Sequence, residues 1–369
     1  MNYTTEPKKL DELLRTLPAG AWDSVRSSLA ESPMMITSIT PDSRECHAGS
    51  LFVAIDGTQQ NGESFIVDAL RRGASCIVST EEHSEINTVA PGTAVIVADH
   101  PREFLSLISQ AFFGFPARCL TMIGITGTSG KTSTAYMVRS LLEHAGIPCV
   151  MIGTTGYSMP DGEIFPPDTL PATTPEAFAF NWYLKEAVRR GARVAVVEVS
   201  SFALAFDRVY GIRFDVGVFT NFSQDHMGYH KTMAAYLAAK LRLFQSLDGR
   251  ATAVLNADDP VFSDFRRACT QPYIATYSLK NSATYRGVGV SSIRGTTLFD
   301  LVVGGDSSIP VTLSIGPAYQ AANCLAAIGA VHAAEPAIGL SSLVASLAEP
   351  LYIPGRYERI ECGQPFEVI

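Results

Sequence analysis

The sequence predicts an α/β protein in which a small N-terminal α/β module precedes a larger module built on a doubly wound parallel sheet. Two observations support this fold class. Apolar runs of strand length alternate with helix-length amphipathic segments along most of the chain. Several of these runs, such as Val194–Val197, lack the polar alternation of a half-exposed strand, which is typical of strands buried on both faces of a sheet.

The first module is predicted to span residues 1–114. The turn-rich stretch from Phe113 to Ala117 interrupts the strand–helix alternation and predicts a domain boundary. The elements predicted before it are strands over 51–55, 75–78 and 94–97 and helices over 65–72 and 104–113.

The second module is predicted to span residues 115–369, and its alternation is more regular. Thr174, followed by Pro175, is predicted to cap the next helix, and glycine turns between 285 and 315 predict hairpins. The remaining predicted elements are strands over 121–126, 149–153, 194–199, 214–220 and 251–255, a helix from 131 to 145, a helix from about 232, and an apparent last strand over 366–369.

Composition excludes several classes of protein. The 369 residues are 47% hydrophobic and 17% charged, which disfavours disorder. The formal net charge is −8 without a long basic run, so no duplex nucleic-acid partner is expected. No apolar run reaches the length of about 18 residues that a membrane-spanning helix needs. Residues 1–22 do not resemble a signal peptide, so we expect a cytoplasmic protein. The seven cysteines form no C-x-x-C pair and are predicted to be reduced packing residues.

The strongest local signal is a glycine-rich turn between an apolar strand and a helix. It reads Gly124-Ile125-Thr126-Gly127-Thr128-Ser129-Gly130-Lys131-Thr132. Backbone N–H groups at such a turn bind phosphate, Lys131 can bridge the β- and γ-phosphates, and Thr132 can ligate Mg²⁺. The glycine spacing is not that of the general Walker motif, because the position five residues before Gly130 is Ile125. The turn predicts a nucleoside triphosphate site.

Two polar residues follow predicted strands of the second module. Glu198 closes the run 194–199, where ligands of an open parallel sheet bind, so it is a candidate metal ligand. A strand-end salt bridge is the alternative. His226 follows the strand 214–220 and is a candidate metal ligand or a solvated loop histidine.

Lys240 lies on the apolar face of a predicted helix. Met233, Tyr236, Leu237, Leu241 and Phe244 share that face at spacings of three and four residues. Either its stem is buried while the ammonium reaches water, or burial lowers its pKa and leaves a neutral amine. A neutral amine can add CO₂ and become a carbamate, an anion suited to Mg²⁺.

The ordered series of motifs resembles the Mur ligase family, and within it the branch that adds the third residue of the peptidoglycan stem peptide. The resemblance extends over nearly the whole chain. The matching stretches are Asp42-Ser43-Arg44, Leu51–Ala54, Thr126–Thr132, Gly153–Tyr157, Thr173–Glu176, Glu198–Ser201, Phe219–Asn221, Asp225-His226, Tyr229-His230, Ala238–Lys240, Asn256–Pro260 and Pro354–Arg356.

The resemblance implies a UDP-binding first domain and a P-loop ATPase domain that uses ATP and Mg²⁺. It implies roles for many residues, as follows. Nucleotide contacts are expected at Gly127, Thr128, Ser129, Gly130, Lys131, Thr132, Asn256, Asp258, Asn323 and Arg356; contacts with UDP-N-acetylmuramoyl peptide at Ser43, Arg44, Thr173, Thr174, Ser200 and Arg208; Mg²⁺ ligands at Thr132, Glu198, His226 and carbamylated Lys240; and catalytic roles for Lys131, Glu198, His226 and Lys240.

The implied reaction is formation of an acyl phosphate on UDP-N-acetylmuramoyl-dipeptide by ATP, followed by amide formation with an amino acid. The family's C-terminal amino-acid-binding domain is expected to be absent from this sequence, so the chain is expected to be inactive alone unless a separate domain or subunit completes it. Two alternatives stay open. One is a noncatalytic or regulatory UDP-sugar and ATP-binding module. The other is a related ligase of a specialised pathway, consistent with Phe206 at a position that is commonly polar in the family.

Overall fold

A computed structural model describes residues 6–26, 33–57, 60–83, 86, 90–166, 172–270, 272–293, 295–305, 308–358, 362–364 and 368. The chain divides into two compact units. The first comprises Met1–Ala117, Pro175–Lys185 and Phe206–Ile212, and the second comprises Arg118–Thr174, Glu186–Ala205 and Arg213–Ile369.

The segments Pro175–Lys185 and Phe206–Ile212 thus pack with the first unit. The sequence instead predicts two continuous domains divided at residue 114. Phe178 is one reason, because its ring centroid lies 5.6 Å from that of Phe112 and 4.8 Å from that of Phe113. The segment 206–212 is held by hydrogen bonds that Ser106 and Gln110 donate to its backbone.

The first unit is built on a five-stranded sheet in its described part. The strands of this unit are β1 (Lys8–Lys9), β2 (Ser24–Arg26), β3 (Met35–Ile36), β4 (Ser38–Thr40), β5 (Ser50–Val53), β6 (Ala74–Ser79) and β7 (Ala94–Val97). The sheet has the order β2-β7-β6-β5-β4, and its pairs are parallel except β2 with β7. Strands β1 and β3 form a separate antiparallel pair. The helices are Leu10–Arg15, Ile66–Arg71 and Pro101–Phe112, with 3₁₀ turns at Ser43–Glu45 and Gly62–Phe65.

Side-chain alternation in this sheet explains why helices cover both of its faces. Leu51 and Val53 belong to the core that contains the helix Pro101–Phe112, whereas Phe52 belongs to the core that contains Ile66. Because both sets are buried, the strands read as continuous apolar runs.

The second unit is built on an 11-stranded sheet, again counting described residues. The strands are β8 (Thr121–Thr126), β9 (Cys149–Gly153), β10 (Gly156–Ser158), β11 (Ile164–Phe165), β12 (Val194–Glu198), β13 (Val216–Phe219), β14 (Thr252–Asn256), β15 (Tyr273–Ser278), β16 (Tyr285–Ile293), β17 (Thr296–Val303) and β18 (Ser308–Leu313). Their order in the sheet is β11-β10-β9-β12-β8-β13-β14-β15-β16-β17-β18, with parallel pairs from β9 to β16 and antiparallel pairs at both ends.

Helices connect these strands. They are Lys131–His144, Ser201–Ala205, Met227–His230, Met233–Gln245, Phe262–Ala268, Gln320–Ala334 and Leu340–Ser346, together with Ala177–Arg189, whose residues up to Lys185 belong to the first unit, and a 3₁₀ turn at Pro116–Cys119. The main core contains buried residues of the helices Lys131–His144 and Gln320–Ala334 together with Ile123, Val196 and Val218 of the central strands.

The predicted fold class is confirmed, and so are the strands over 94–97, 121–126 and 149–153. The hairpins expected between 285 and 315 are β16–β18. The expected helix cap at Thr174 is wrong. The helix begins at Ala177, and the Thr174 hydroxyl instead donates to the Glu198 backbone oxygen on a neighbouring segment. Except for residue 368, the apparent strand over 366–369 lies outside the described residues.

In the part of the chain that the structure describes, no helix is long and apolar enough to cross a membrane. All seven cysteines are free thiols. Cys119 and Cys362 are exposed, so the prediction that every cysteine packs in the core is wrong for these two.

Candidate active site

The candidate site of the second unit lies at the carboxyl ends of its parallel strands. In register, Val197 of β12 pairs with Gly124 of β8, and Phe219 of β13 pairs with Thr126. Since parallel strands end at the same edge of a sheet, the segments after β8, β12, β13 and β14 lie close together. This edge gathers the glycine-rich turn, Glu198 and the segment from residue 220.

The turn between β8 and the helix Lys131–His144, called the phosphate loop below (Gly127–Thr132), requires glycine at two positions. Gly127 has φ +153° and Gly130 has φ +85°, a left-handed value. A Cβ at Gly127 would overlap the Thr220 hydroxyl, and a Cβ at Gly130 would lie 2.5 Å from Asn323 Oδ1. The loop is therefore packed closely between two polar side chains.

Residues after β13 fix the conformation of the phosphate loop. The Ser129 N–H donates to Asn221 Oδ1 at 3.0 Å, and Asn221 Nδ2 donates back to the Ser129 oxygen at 2.8 Å. The Thr220 hydroxyl donates to that same oxygen at 2.7 Å. Sequence reasoning did not select Thr220 or Asn221 as site residues, although polar residues directly after a buried strand were a signal.

Lys131 folds back over the phosphate loop. Its Nζ donates to the backbone oxygens of Gly127 and Thr128, each at 2.9 Å. Burial lowers the pKa of Lys131, while the negative charge of Glu198 opposes that shift. The positive charge of Arg356 lowers this pKa further.

Glu198 is a fully buried carboxylate surrounded by donors. Thr132 Oγ1 donates to Glu198 Oε2 at 2.9 Å, and Thr154 contributes its N–H to Oε1 at 3.0 Å and its hydroxyl to Oε2 at 3.2 Å. Burial raises the pKa of Glu198, which these donors and Lys131 oppose. No described ion pair neutralises this carboxylate, so the salt-bridge alternative is not what the structure contains.

Lys240 is buried, with 1% of its surface exposed. Its Nζ donates to the Gly127 oxygen at 2.7 Å, the atom that also accepts from Lys131, and lies 4.5 Å from the centre of the Tyr236 ring. Burial first, and the charge of Lys131 second, lower the pKa of Lys240 to about 6. The amine does not reach water, which contradicts the snorkelling alternative.

His226 lies at the start of the short helix Met227–His230 with a left-handed φ of +53°. Its Nε2 is 3.4 Å from Asp225 Oδ2, and its side chain is 41% exposed. The ring also contacts Phe202 and Tyr236, with centroids 5.2 and 5.9 Å away. His226 is therefore a partly exposed imidazole that contacts Tyr236, the ring that also lies beside Lys240.

The residues predicted to grip the substrate in the second unit form one hydrogen-bonded group. Thr173 and Thr154 hydroxyls are 3.1 Å apart. The Thr174 hydroxyl donates to the backbone oxygen of Glu198 at 2.7 Å and to the Ser200 hydroxyl at 3.4 Å. It also accepts from the Ser200 N–H at 3.1 Å. This group directly adjoins the Glu198 carboxylate.

The predicted nucleotide contacts beyond the loop differ in what their side chains do. Asn256 donates to the Thr220 backbone oxygen at 2.7 Å. Asn323 donates to Gln320 Oε1 at 2.8 Å, and its Oδ1 lies beside Gly130. The Asp258 carboxylate accepts from the Ser278 hydroxyl at 2.5 Å and from the Leu279 N–H at 2.7 Å. Asp258 thus fastens β14 to β15 in this structure.

Three predicted substrate residues belong to the first unit. Ser43 is buried and donates to Asp68 Oδ2 at 2.8 Å. Arg44 is exposed and forms two-point contacts with Asp42, whose carboxylate also caps the turn Ser43–Glu45. Arg208 is paired with Glu176.

The residues present fit a Mg²⁺ site in the kind of donors they offer. Thr132 and Glu198 supply the oxygen ligands that Mg²⁺ prefers. Among the described residues, no group of three or more His, Cys, Asp or Glu side chains could hold a metal ion. Protein ligands alone are therefore few, as is usual where Mg²⁺ is shared with phosphates.

Comparison with known proteins gives concordant results. The model of the Mur ligase middle domain matches residues 125–331, and that of the Mur ligase family catalytic domain matches residues 35–113. The UDP-N-acetylmuramoyl-L-alanyl-D-glutamate–2,6-diaminopimelate ligase of Bacillus licheniformis is 36% identical over 98% of this chain and 71% of that protein. The UDP-N-acetylmuramyl-tripeptide synthetase 2 of Oceanobacillus iheyensis is 31% identical over 91% of this chain and 68% of its own.

A solved structure of a UDP-N-acetylmuramoyl-L-alanyl-D-glutamate–2,6-diaminopimelate ligase is also similar. Its TM-score is 0.76 at 26% identity, and the match covers 96% of this chain and 69% of that one. The resemblance predicted from the motifs is confirmed. The chain belongs to the Mur ligase family, whose members are ATP-dependent ligases.

Proposed function

We propose that this chain activates UDP-N-acetylmuramoyl-dipeptide with ATP for addition of the third amino acid in peptidoglycan synthesis. One observation carries the proposal. Lys131, the Thr132–Glu198 pair and Lys240 all meet at the phosphate loop. The names of the Bacillus licheniformis and Oceanobacillus iheyensis relatives support this substrate class.

The phosphate loop binds the ATP phosphates in this proposal. Backbone N–H groups at the start of the helix Lys131–His144 favour anions. Lys131 exchanges its two backbone acceptors for phosphate oxygens, since a charge-assisted contact is stronger than a neutral one. Its positive charge then offsets the negative charge that develops as the substrate carboxylate attacks the γ-phosphorus.

Thr132, Glu198, His226 and carbamylated Lys240 would hold Mg²⁺. The metal supplies neutralisation of phosphate charge when bound. The environment of Lys240 favours the modification, because an amine with a pKa of about 6 is neutral at pH 7. Its nitrogen lone pair forms a bond to the carbon of CO₂, and one proton is released, which leaves an N-linked carboxylate.

The proposal gives each unit its own contacts with the UDP-linked substrate. Ser43, Arg44 and Arg208 are the proposed contacts of the UDP-binding domain, residues 1–114 together with the segments that pack with it. In the ATP-binding domain, which is the remainder of residues 115–369, the proposed contacts are Thr173, Thr174 and Ser200. For the cellular location of this enzyme we keep the prediction from the sequence, which is the cytoplasm.

A specialised ligase is a second candidate because of Phe206. The guanidinium groups of Arg102 and Arg208 lie 4.6 and 5.8 Å from the centre of its ring. An apolar ring there offers no hydrogen bond to a substrate, so a different muramoyl or peptide portion is compatible with it. A noncatalytic module is less well supported, because it needs neither Glu198 nor a buried Lys240.

The experiment is ADP release from MgATP by the 369-residue chain with two UDP-linked substrates. One is UDP-N-acetylmuramoyl-L-alanyl-D-glutamate, and the other is the same molecule with its acceptor carboxylate converted to an amide. We expect ADP release only with the free carboxylate, and none from Lys131→Ala. Equal release with both substrates would refute the proposal, and absence of UDP-substrate binding would refute it more generally.

A further inference from the structure

Three polar residues lie at four-residue spacing on the helix Pro101–Phe112. They are Arg102, Ser106 and Gln110, so they form one stripe along the helix. Ser106 is fully buried and Gln110 is 6% exposed, in a helix whose buried face is otherwise largely apolar. Buried polar side chains are unfavourable unless they form hydrogen bonds, so the stripe has a specific partner.

That partner is the backbone of the segment 206–212. The Ser106 hydroxyl donates to the Tyr210 oxygen at 2.9 Å and approaches the Arg208 oxygen at 3.4 Å. Gln110 Nε2 donates to the Tyr210 oxygen at 2.8 Å. Two side chains from consecutive turns of one helix thus share the Tyr210 oxygen, two residues after Arg208.

The segment 206–212 has a backbone that needs such support. Asp207, which precedes Arg208, has a left-handed φ of +56°, a conformation that non-glycine residues rarely adopt. Gly211 has φ +74°, and a Cβ there would lie 2.8 Å from a Leu107 methyl group. Strained backbone of this kind persists where neighbouring structure holds it.

The same stripe also contacts the side chains of this segment. The Arg102 guanidinium lies over the Phe206 ring at 4.6 Å, and the Arg208 guanidinium lies 5.8 Å from that ring. Arg208 is also paired with Glu176. The direction of the Arg208 side chain is therefore determined by contacts with its backbone and its guanidinium.

We propose that Ser106 and Gln110 are positioning residues that orient Arg208 toward an anionic group of the UDP-linked muramoyl dipeptide. They act through the backbone of the segment 206–212 and do not touch the substrate. This inference rests on the proposed function, because that proposal gives Arg208 its substrate contact.

The helix supplies a matched control in Ser109. Ser109 is fully buried like Ser106, but its hydroxyl donates to the Leu105 oxygen of its own helix at 2.6 Å. Ser106→Ala and Ser109→Ala therefore remove the same group from the same helix. They differ in whether a contact with the Arg208 segment is lost.

The experiment measures binding of UDP-N-acetylmuramoyl-L-alanyl-D-glutamate and of MgATP to the full chain by calorimetry. Ser106→Ala should weaken UDP-substrate binding about three- to tenfold, the value of one hydrogen bond, and leave MgATP binding unchanged. Ser109→Ala should change neither. If Ser106→Ala folds poorly, Gln110→Met takes its place, because it keeps the side-chain volume. Gln110→Met should weaken UDP-substrate binding in the same way.

A double-mutant cycle with Arg208→Ala separates positioning from general destabilisation. Ser106→Ala should have no further effect on UDP-substrate binding once Arg208 is removed, because the two residues act on one contact. Equal substrate affinities of Ser106→Ala and Ser109→Ala would overturn the inference, as would a full Ser106→Ala effect in the Arg208→Ala background. If Arg208→Ala itself binds like the wild type, the proposed substrate role of Arg208 fails as well.

Discussion

Replacement of Lys240 by methionine should stabilise the protein when Mg²⁺ and CO₂ are removed. Methionine has a similar length and no amine, so the stem remains packed. Burial lowers the pKa of Lys240 from 10.5 to about 6, so the folded chain holds the neutral amine at pH 7.5 whereas the unfolded chain holds the ammonium. Since pH 7.5 lies about 3 units below the ordinary pKa of lysine, releasing that proton on folding costs roughly 4 kcal/mol of folding free energy.

The loss of one hydrogen bond reduces the expected gain. Lys240 Nζ donates to the Gly127 oxygen at 2.7 Å, and removing that contact costs about 1 kcal/mol. The Gly127 oxygen still accepts from Lys131 in the variant. The net expectation is a variant that is about 2–3 kcal/mol more stable at pH 7.5.

The sign of the pH dependence follows from the lowered pKa. Between about pH 6 and 10.5 the unfolded chain binds one more proton at Lys240 than the folded chain, so wild-type stability rises with pH relative to the variant. The advantage of Lys240→Met should therefore shrink by about 1.4 kcal/mol per pH unit. Below about pH 6 both the folded and the unfolded chain hold the ammonium, so the stability difference between the variant and the wild type no longer changes with pH.

Urea unfolding followed by circular dichroism at pH 6.5, 7.5 and 8.5 measures this difference. Lys280→Met, at an exposed lysine, is the control and should show no such trend. Added bicarbonate and Mg²⁺ should stabilise the wild type but not Lys240→Met. A variant that is less stable than the wild type at pH 7.5, or a difference that does not change with pH, would show that Lys240 is not a buried neutral amine.

Three further predictions concern the phosphate loop and its neighbours. Lys131→Ala should weaken MgATP binding by about one to two decades, measured by calorimetry against the exposed-site control Lys280→Ala, and equal affinity would reject the site. Glu198→Gln should weaken Mg²⁺-dependent nucleotide binding at least about tenfold. Because burial raises the pKa of Glu198, the stability of the wild type falls as the pH rises above about 4.5. Without metal the variant should therefore have a higher melting temperature than the wild type at neutral pH, and a lower one would contradict this. Gly130→Ala should weaken MgATP binding more than Gly146→Ala, which has a similar φ of +72° but no neighbour within 4 Å, and equal affinities would show that the contact with Asn323 is unimportant.

The sequence predicts this fold well where burial alone sets the pattern. The strand Thr121–Thr126 is apolar on both faces because helices cover both sides of the parallel sheet, and its bounds are those predicted. Lys240 is recognisable as unusual for the same reason, since a lysine on an apolar helix face is rare. The phosphate loop is recognisable because its glycines and Lys131 have fixed local spacing.

Other features depend on contacts between distant segments and could not be predicted locally. Thr174 reads as a helix cap beside Pro175, but the strand order brings Glu198 next to it, and that backbone oxygen takes its hydroxyl. Asn221 bonds to Ser129 only because β13 lies beside β8. Tyr236 looks like an ordinary core residue, yet its hydroxyl lies 3.2 Å from that of Thr128 in the loop.

Trapping of an acyl phosphate tests the central claim most directly. The 369-residue chain is incubated with MgATP, UDP-N-acetylmuramoyl-L-alanyl-D-glutamate and hydroxylamine, without an amino acid, and the products are analysed by mass spectrometry. The proposed function predicts a hydroxamate of the UDP-linked dipeptide, formed in equal amount with ADP and absent from Lys131→Ala. ADP release without any hydroxamate, or a hydroxamate that forms without ATP, would contradict it.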